Sequence, residues 1–158
     1  MINNITLIIT LILFAQLAQG SEKQSIPRFV SIKASEANTR SGPGANYKTL
    51  YLYQYKGLPV EVIAEYEQWR KIKDINGDEG WIHSSILSGK RSIIVSSKNE
   101  ELLYKSDSLK SKIVARLNPG MVCGLIKCTK SWCKVKCQDY TGWIGRSSIW
   151  GVYGHEEW

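Results

Sequence analysis

Trp69-Arg70-Lys71-Ile72-Lys73, followed by Gly80-Trp81-Ile82, returns further along the chain as Trp132-Cys133-Lys134-Val135-Lys136, followed by Gly142-Trp143-Ile144. The spacing inside the two copies differs by a single residue. Tryptophan is large and scarce, so a pair that recurs in the same setting marks two copies of one structural unit. Each stretch also alternates. Trp69, Lys71 and Lys73 fall on one side and Arg70 and Ile72 on the other, the two-residue period of a strand.

The flanking sequence extends this pattern. Phe29 to Ala34, Thr49 to Tyr55 and Val60 to Ala64 read as strands, Asn76-Gly77 as a hairpin turn, and Ser84 to Leu87 as one tight helical turn. Ala37 to Gly44 reads as a turn-rich segment. The same order recurs in Arg91 to Val95, Lys112 to Leu117, Met121 to Ile126 and Ser147-Ser148-Ile149. No window sustains a 3.6-residue apolar period, so the expected fold class is all-β: two tandem small β-barrels. Residues 28–89 form the first and 90–153 the second, with 154–158 as a C-terminal tail. The link Ser88-Gly89-Lys90 is short enough that the barrels should pack closely rather than swing. Because both copies share Gly-Trp-Ile, Trp81 and Trp143 are expected in the cores.

The beginning of the chain reads as an export signal. Ile5 to Phe14 is apolar apart from Thr6 and Thr10, and small residues at Ala18 and Gly20 suit signal-peptide cleavage near Gly20. That run is shorter than the about 20 apolar residues a membrane span needs. A periplasmic or secreted location follows, which sets nucleic acid aside as a partner. The formal net charge is +7. Between Arg28 and Gly89 eight Lys/Arg face seven Asp/Glu, whereas between Lys90 and Trp158 twelve face six. The surplus in the second copy points to an anionic partner: cell-wall polymer, lipopolysaccharide or an anionic phospholipid membrane surface.

All four cysteines, Cys123, Cys128, Cys133 and Cys137, lie in the second copy. Export favours disulfides. In an antiparallel hairpin, facing residues share one index sum. Cys128–Cys133 and Cys123–Cys137 differ in that sum by one, a slip that a bulge absorbs, and these are the predicted bridges. The spacing lacks the paired close cysteines of a zinc site, so no metal is expected. No cofactor is expected either, since no phosphate-cradling glycine loop joins a strand to a helix. His83 and His155 are the only neutral-pH bases, and neither sits in a recognisable triad; the chain reads as a non-enzyme.

The ordered series Ala37-Asn38-Thr39-Arg40-Ser41-Gly42-Pro43-Gly44, Gly57-Leu58-Pro59-Val60-Glu61-Val62, Trp69-Arg70, Gly80-Trp81-Ile82 and Leu87-Ser88-Gly89-Lys90-Arg91 resembles bacterial SH3-like (SH3b) domains. With Trp132-Cys133 and Trp150-Gly151-Val152-Tyr153 the chain is similar to the tandem form in exported proteins of Gram-negative bacteria. The resemblance implies a five-to-six-stranded half-open barrel per copy and a binding role, usually toward cell-wall peptidoglycan or proteins near it. Two partners are therefore in view. One is a cell-wall glycopeptide held by aromatic residues of the first copy, for which Arg40, Tyr47, Tyr51, Tyr53, Tyr55, Tyr66 and Trp69 are the candidates. The other is an envelope protein, docked as an acidic partner by Lys127, Lys130, Lys134 and Lys136 of the second copy.

Overall fold

The computed structural model describes residues 24–157. The expected export segment and the expected cleavage near Gly20 lie outside them. The chain forms two seven-stranded antiparallel sheets, each curled around its own core. In the first, β1 (Arg28–Ile32), β2 (Ala37–Arg40), β3 (Thr49–Tyr53), β4 (Pro59–Tyr66), β5 (Trp69–Lys73), β6 (Glu79–His83) and β7 (Leu87–Ser88) lie in the order β3-β2-β6-β5-β4-β1-β7. The second, β8 (Ser92–Val95), β9 (Glu101–Tyr104), β10 (Ile113–Leu117), β11 (Val122–Cys128), β12 (Trp132–Cys137), β13 (Tyr140–Gly145) and β14 (Ile149–Trp150), repeats that order strand for strand. A 3-10 turn precedes each two-residue closing strand, at Ser84–Ile86 and Arg146–Ser148. Gly77 takes the positive φ of +86° that the Asn-Gly turn requires.

Two sequence expectations need correction. Ala37–Arg40, read as turn, is a strand, as is its counterpart Glu101–Tyr104. Its alternation is real but made by small residues: Ala37 and Thr39 are buried and Asn38 is exposed. The second correction concerns Trp81 and Trp143, which are only half-buried. The core residue of each triplet is the isoleucine: Ile82 and Ile144 are fully buried. Alternation forces this, because neighbours along a strand face opposite ways.

The triplet glycine has its own reason. A Cβ on Gly142 would lie 2.6 Å from the Tyr104 carbonyl oxygen and 2.7 Å from Leu103 Cγ. A Cβ on Gly80 would lie 2.8 Å from Thr39 Cβ. Only glycine lets β2 and β9 cross this close to β6 and β13 and close each barrel.

The cysteines pair as Cys123–Cys137 and Cys128–Cys133, with Cα–Cα separations of 4.5 and 4.1 Å. The register shift between Leu125 and Lys127 supplies the bulge that their index sums demand. In the first barrel the position of Cys128–Cys133 is held by the facing pair Glu65 and Arg70, joined at 3.0 Å, with Arg28 at 2.6 Å from the same carboxylate. One barrel is fastened there by charge, the other by a covalent bond.

The barrels are clamped by the C-terminal segment. Phe29 of β1 receives Trp150 edge-on at 4.9 Å and Tyr153 at 4.7 Å between ring centroids. The Tyr153 hydroxyl donates to Glu61 of β4 at 2.7 Å, and Ser92 donates to the Gly57 carbonyl at 2.6 Å. Arg91 holds the clamp closed, with both its Nη atoms 2.9 Å from Glu156 and Nη2 2.8 Å from the Gly151 carbonyl. Arg146 gathers the carbonyls of Thr129, Tyr153 and Glu156. Gly151 sits at φ +120°, where a Cβ would lie 2.6 Å from the Ser92 carbonyl oxygen. The tail is therefore part of the inter-barrel contact.

Burial alone would raise the Glu156 carboxyl; the hydrogen bonds from Arg91 and the Tyr153 N–H overcome it and hold it below its ordinary 4.5. A depressed carboxylate contributes stability that is complete above its unfolded value and is lost as pH falls through the folded one. Thermal melts should therefore lose the clamp's contribution below pH 4.5, and Glu156→Gln should flatten that limb. Arg91→Ala at neutral pH should cost about 2 kcal/mol, measured by urea unfolding. Replacing Cys123 and Cys137 together by Ala should cost about 3 kcal/mol in the second barrel, read in the same way.

Candidate functional site

Six of the seven first-barrel residues expected to bind fall into three local groups. Arg40 donates to the Tyr47 carbonyl at 2.9 Å and to Thr49 Oγ1 at 3.4 Å, and the Tyr47 ring lies over Gly42. Tyr51 and Tyr53 donate their hydroxyls to Asp78 at 3.3 Å and Asp74 at 3.1 Å. Tyr53 also packs on the core, and burial followed by the Asp74 charge raises its phenol well above 10.0. The Tyr51 phenol is raised first by the Asp78 charge. At the third place Tyr66 faces Trp69 across the β4–β5 hairpin, and Trp69 meets the His83 ring edge-on at 5.5 Å. His83 Nδ1 accepts from the Ser85 N–H at 3.2 Å and lies 2.7 Å from Ser85 Oγ, which makes the ring a cap for the following turn. Tyr47 and Tyr66 are half exposed, and Tyr55 lines a separate cleft of about 640 Å³ between the barrels, beside Lys33, Lys56 and Lys90.

The second barrel holds an open groove of about 480 Å³ at the same place in the fold as Trp69 and His83. Its walls include Glu100, Leu102, Tyr104, Leu109, Trp132 and Gly145. The register explains it. Trp132 faces Gly145 where Trp69 faces His83, so β13 sets no ring beside Trp132. Tyr104 stands where the first barrel has Arg40, since each faces the triplet tryptophan, and it meets Trp132 edge-on at 5.6 Å. Sequence reasoning missed this groove because it placed no strand at Glu101–Tyr104. The signal was Gly145 in place of His83.

The basic candidates lie on the same outer face. Lys127, Lys134 and Trp143 are aligned across three strands, and Lys127 Nζ is 5.3 Å from the Trp143 ring centroid. Lys136 follows two residues along β12, and Lys130 sits in the β11–β12 turn. Among the described residues no cluster of His, Cys, Asp and Glu is placed to hold a metal, and no helix is long and apolar enough to cross a membrane.

The model of the bacterial SH3 domain family matches the chain twice, over residues 33–89 and 97–151. The chain belongs to that family. YrvJ of Bacillus subtilis (strain 168), which carries the name of an N-acetylmuramoyl-L-alanine amidase, is 22% identical over 128 residues, covering 75% of this chain and 24% of its own length. The chain thus spans about a quarter of that relative. Among solved structures, NlpC2 from Trichomonas vaginalis superposes at a TM-score of 0.38 with 11% identity, over 85% of this chain and 52% of its own. NlpC1 from the same organism gives 0.35 and 13%, over 82% and 47%.

The hydroxyl of Tyr53 is tied to Asp74, so Tyr53→Phe should cost about 1 kcal/mol in urea unfolding. Ligand retention by that variant should be unchanged once the protein is folded.

Proposed function

We propose that the protein is a non-catalytic, exported binding module of the cell envelope whose second barrel takes a wall glycan or glycopeptide in the Tyr104–Trp132 groove. The observation that carries this reading is the groove itself: open, about 480 Å³, with two rings set edge to face at 5.6 Å. Aromatic rings offer flat apolar area with a polar edge, which suits sugar rings and extended peptides. Membership of the bacterial SH3 domain family and similarity to part of a relative named for an amidase of the cell wall support it. The match covers 24% of that relative's length, and in this chain the His83–Ser85 contact is spent on capping a turn. The two disulfides suit an oxidising compartment, and with the apolar leader they support a periplasmic or secreted location after cleavage near Gly20. Tyr47, Tyr66 and Trp69 of the first barrel, with Arg40, serve as an auxiliary contact.

A second reading is a periplasmic scaffold that docks an acidic protein through the second domain. The lysines at 127, 130, 134 and 136 favour it. One experiment separates the two. Residues 21–158 are incubated with purified sacculi and, separately, with envelope proteins. Retention on sacculi that falls at least about tenfold in Trp132→Ala supports the groove. No retention on sacculi, or retention indifferent to Trp132, overturns it, and capture only by an envelope protein favours the scaffold.

A further inference from the structure

The two barrels carry the same lysines on β5 and β12 but treat them differently. Lys73 pairs with Glu61 at 2.6 Å and Lys71 with Glu79 at 2.5 Å. The register places Gly124 where Glu61 stands, since these face Lys136 and Lys73, and Thr141 where Glu79 stands. Both counter-ions are thus missing from the second barrel while both lysines remain. A third cation has been added: Lys127 occupies the place of Ala64 and faces Lys134 directly. Like charges facing each other across a strand pair are destabilising. Among the described residues Lys127, Lys130, Lys134 and Lys136 form no ion pair.

What surrounds these cations is aromatic. Trp143 faces Lys134, and the same outer sheet face continues through Tyr104 to Trp132 and the groove. In the first barrel the corresponding face is partly covered, because Glu61 and Phe29 receive Tyr153 and Trp150 of the clamp. In the second barrel Ser92 and Gly124 stand at those two positions.

We propose that this face holds an anionic glycan, a polymer of sugar rings bearing carboxylate or phosphate groups. The inference rests on the groove reading above and names its ligand class. Lysines two apart on a strand lie about 7 Å apart on one side, so they present charge in a row rather than at a point. The rings beside them offer area for sugars along that row. A concave groove at one end suits a chain better than a flat bilayer, and the half-buried tryptophans do not protrude as membrane anchors do.

The test uses residues 21–158 with five defined probes: carboxymethyl dextran, dextran phosphate, neutral dextran, poly-L-glutamate, and phosphatidylglycerol vesicles. Binding to one or both anionic dextrans and not to neutral dextran is expected, and which one binds distinguishes carboxylate from phosphate. Replacing Lys134 and Lys136 by Glu should weaken it by about tenfold or more. The same charge change at Lys48 and Lys56 should leave it unchanged. The thermal midpoint of the first variant should stay at or above that of the native protein, because Lys134→Glu relieves the contact with Lys127; this separates lost binding from lost folding. Stronger binding to poly-L-glutamate or to the vesicles than to either anionic dextran overturns the proposal in favour of an acidic protein or a membrane. Equal loss in both charge variants overturns it as well. If sacculus retention needs Trp132 but ignores Lys134 and Lys136, this inference falls and the groove stands; if it ignores all three, both fall.

Discussion

The close crossing of β2 over β6, and of β9 over β13, is the constraint on which the rest of the structure depends. It exists because Gly80 and Gly142 carry no Cβ. Once the glycine is fixed at the crossing, strand alternation dictates the other two places in the triplet. Isoleucine enters the core, and tryptophan is turned to the outer face. A motif marked by its tryptophan is therefore governed by its glycine, and the aromatic ring is delivered to the surface as a consequence. The same crossing brings Tyr104 opposite Trp143 in one barrel and Arg40 opposite Trp81 in the other. One residue on the crossing strand thus sets what each triplet tryptophan faces.

The repeat, the all-β class and the disulfide pairing were legible in the sequence because each rests on a local rule. Period-two alternation marked β5 and β12, positive φ marked Gly77, and hairpin index sums paired the cysteines. What was illegible depends on non-local geometry. Ala37–Arg40 escaped because its inward residues, Ala37 and Thr39, are too small to register as an apolar alternation. Trp81 and Trp143 were misplaced because a residue shared by both copies was equated with core, when the shared requirement was space for a crossing strand. The groove depends on which residue of β6 or β13 faces which tryptophan. That was readable only once Gly145 could be set against His83.

The copies have diverged on both sides of the sheet, in opposite senses. Toward the interior, the Glu65–Arg70 pair gives way to the Cys128–Cys133 bridge, and charges are removed in favour of a covalent link. On the outer face Glu61 and Glu79 are replaced by Gly124 and Thr141, leaving lysines without counter-ions. These changes are complementary. An outer face that repels itself weakens its own hairpin, and a disulfide across the same hairpin offsets that cost by restricting the unfolded chain. The absence of cysteines in the first copy, where the lysines remain paired, fits this account.

The clamp gives the divergence its use. Phe29, Glu61 and Gly57 of the first barrel are engaged by Trp150, Tyr153 and Ser92, so part of the first barrel's outer face is spent on holding the second. Arg91 and Arg146, on either side of the second barrel's sequence, converge on Glu156 and fasten the segment from both ends. Two barrels on a loose tether would present two independent surfaces and lose orientational freedom on every encounter with an extended polymer. Two barrels joined by aromatic packing and the Tyr153–Glu61 hydrogen bond have lost that freedom on folding. Such preorganisation favours a ligand long enough to run from the lysine row of the second barrel to the auxiliary contact proposed on the first, because the rotational freedom of one barrel against the other is already gone before it arrives.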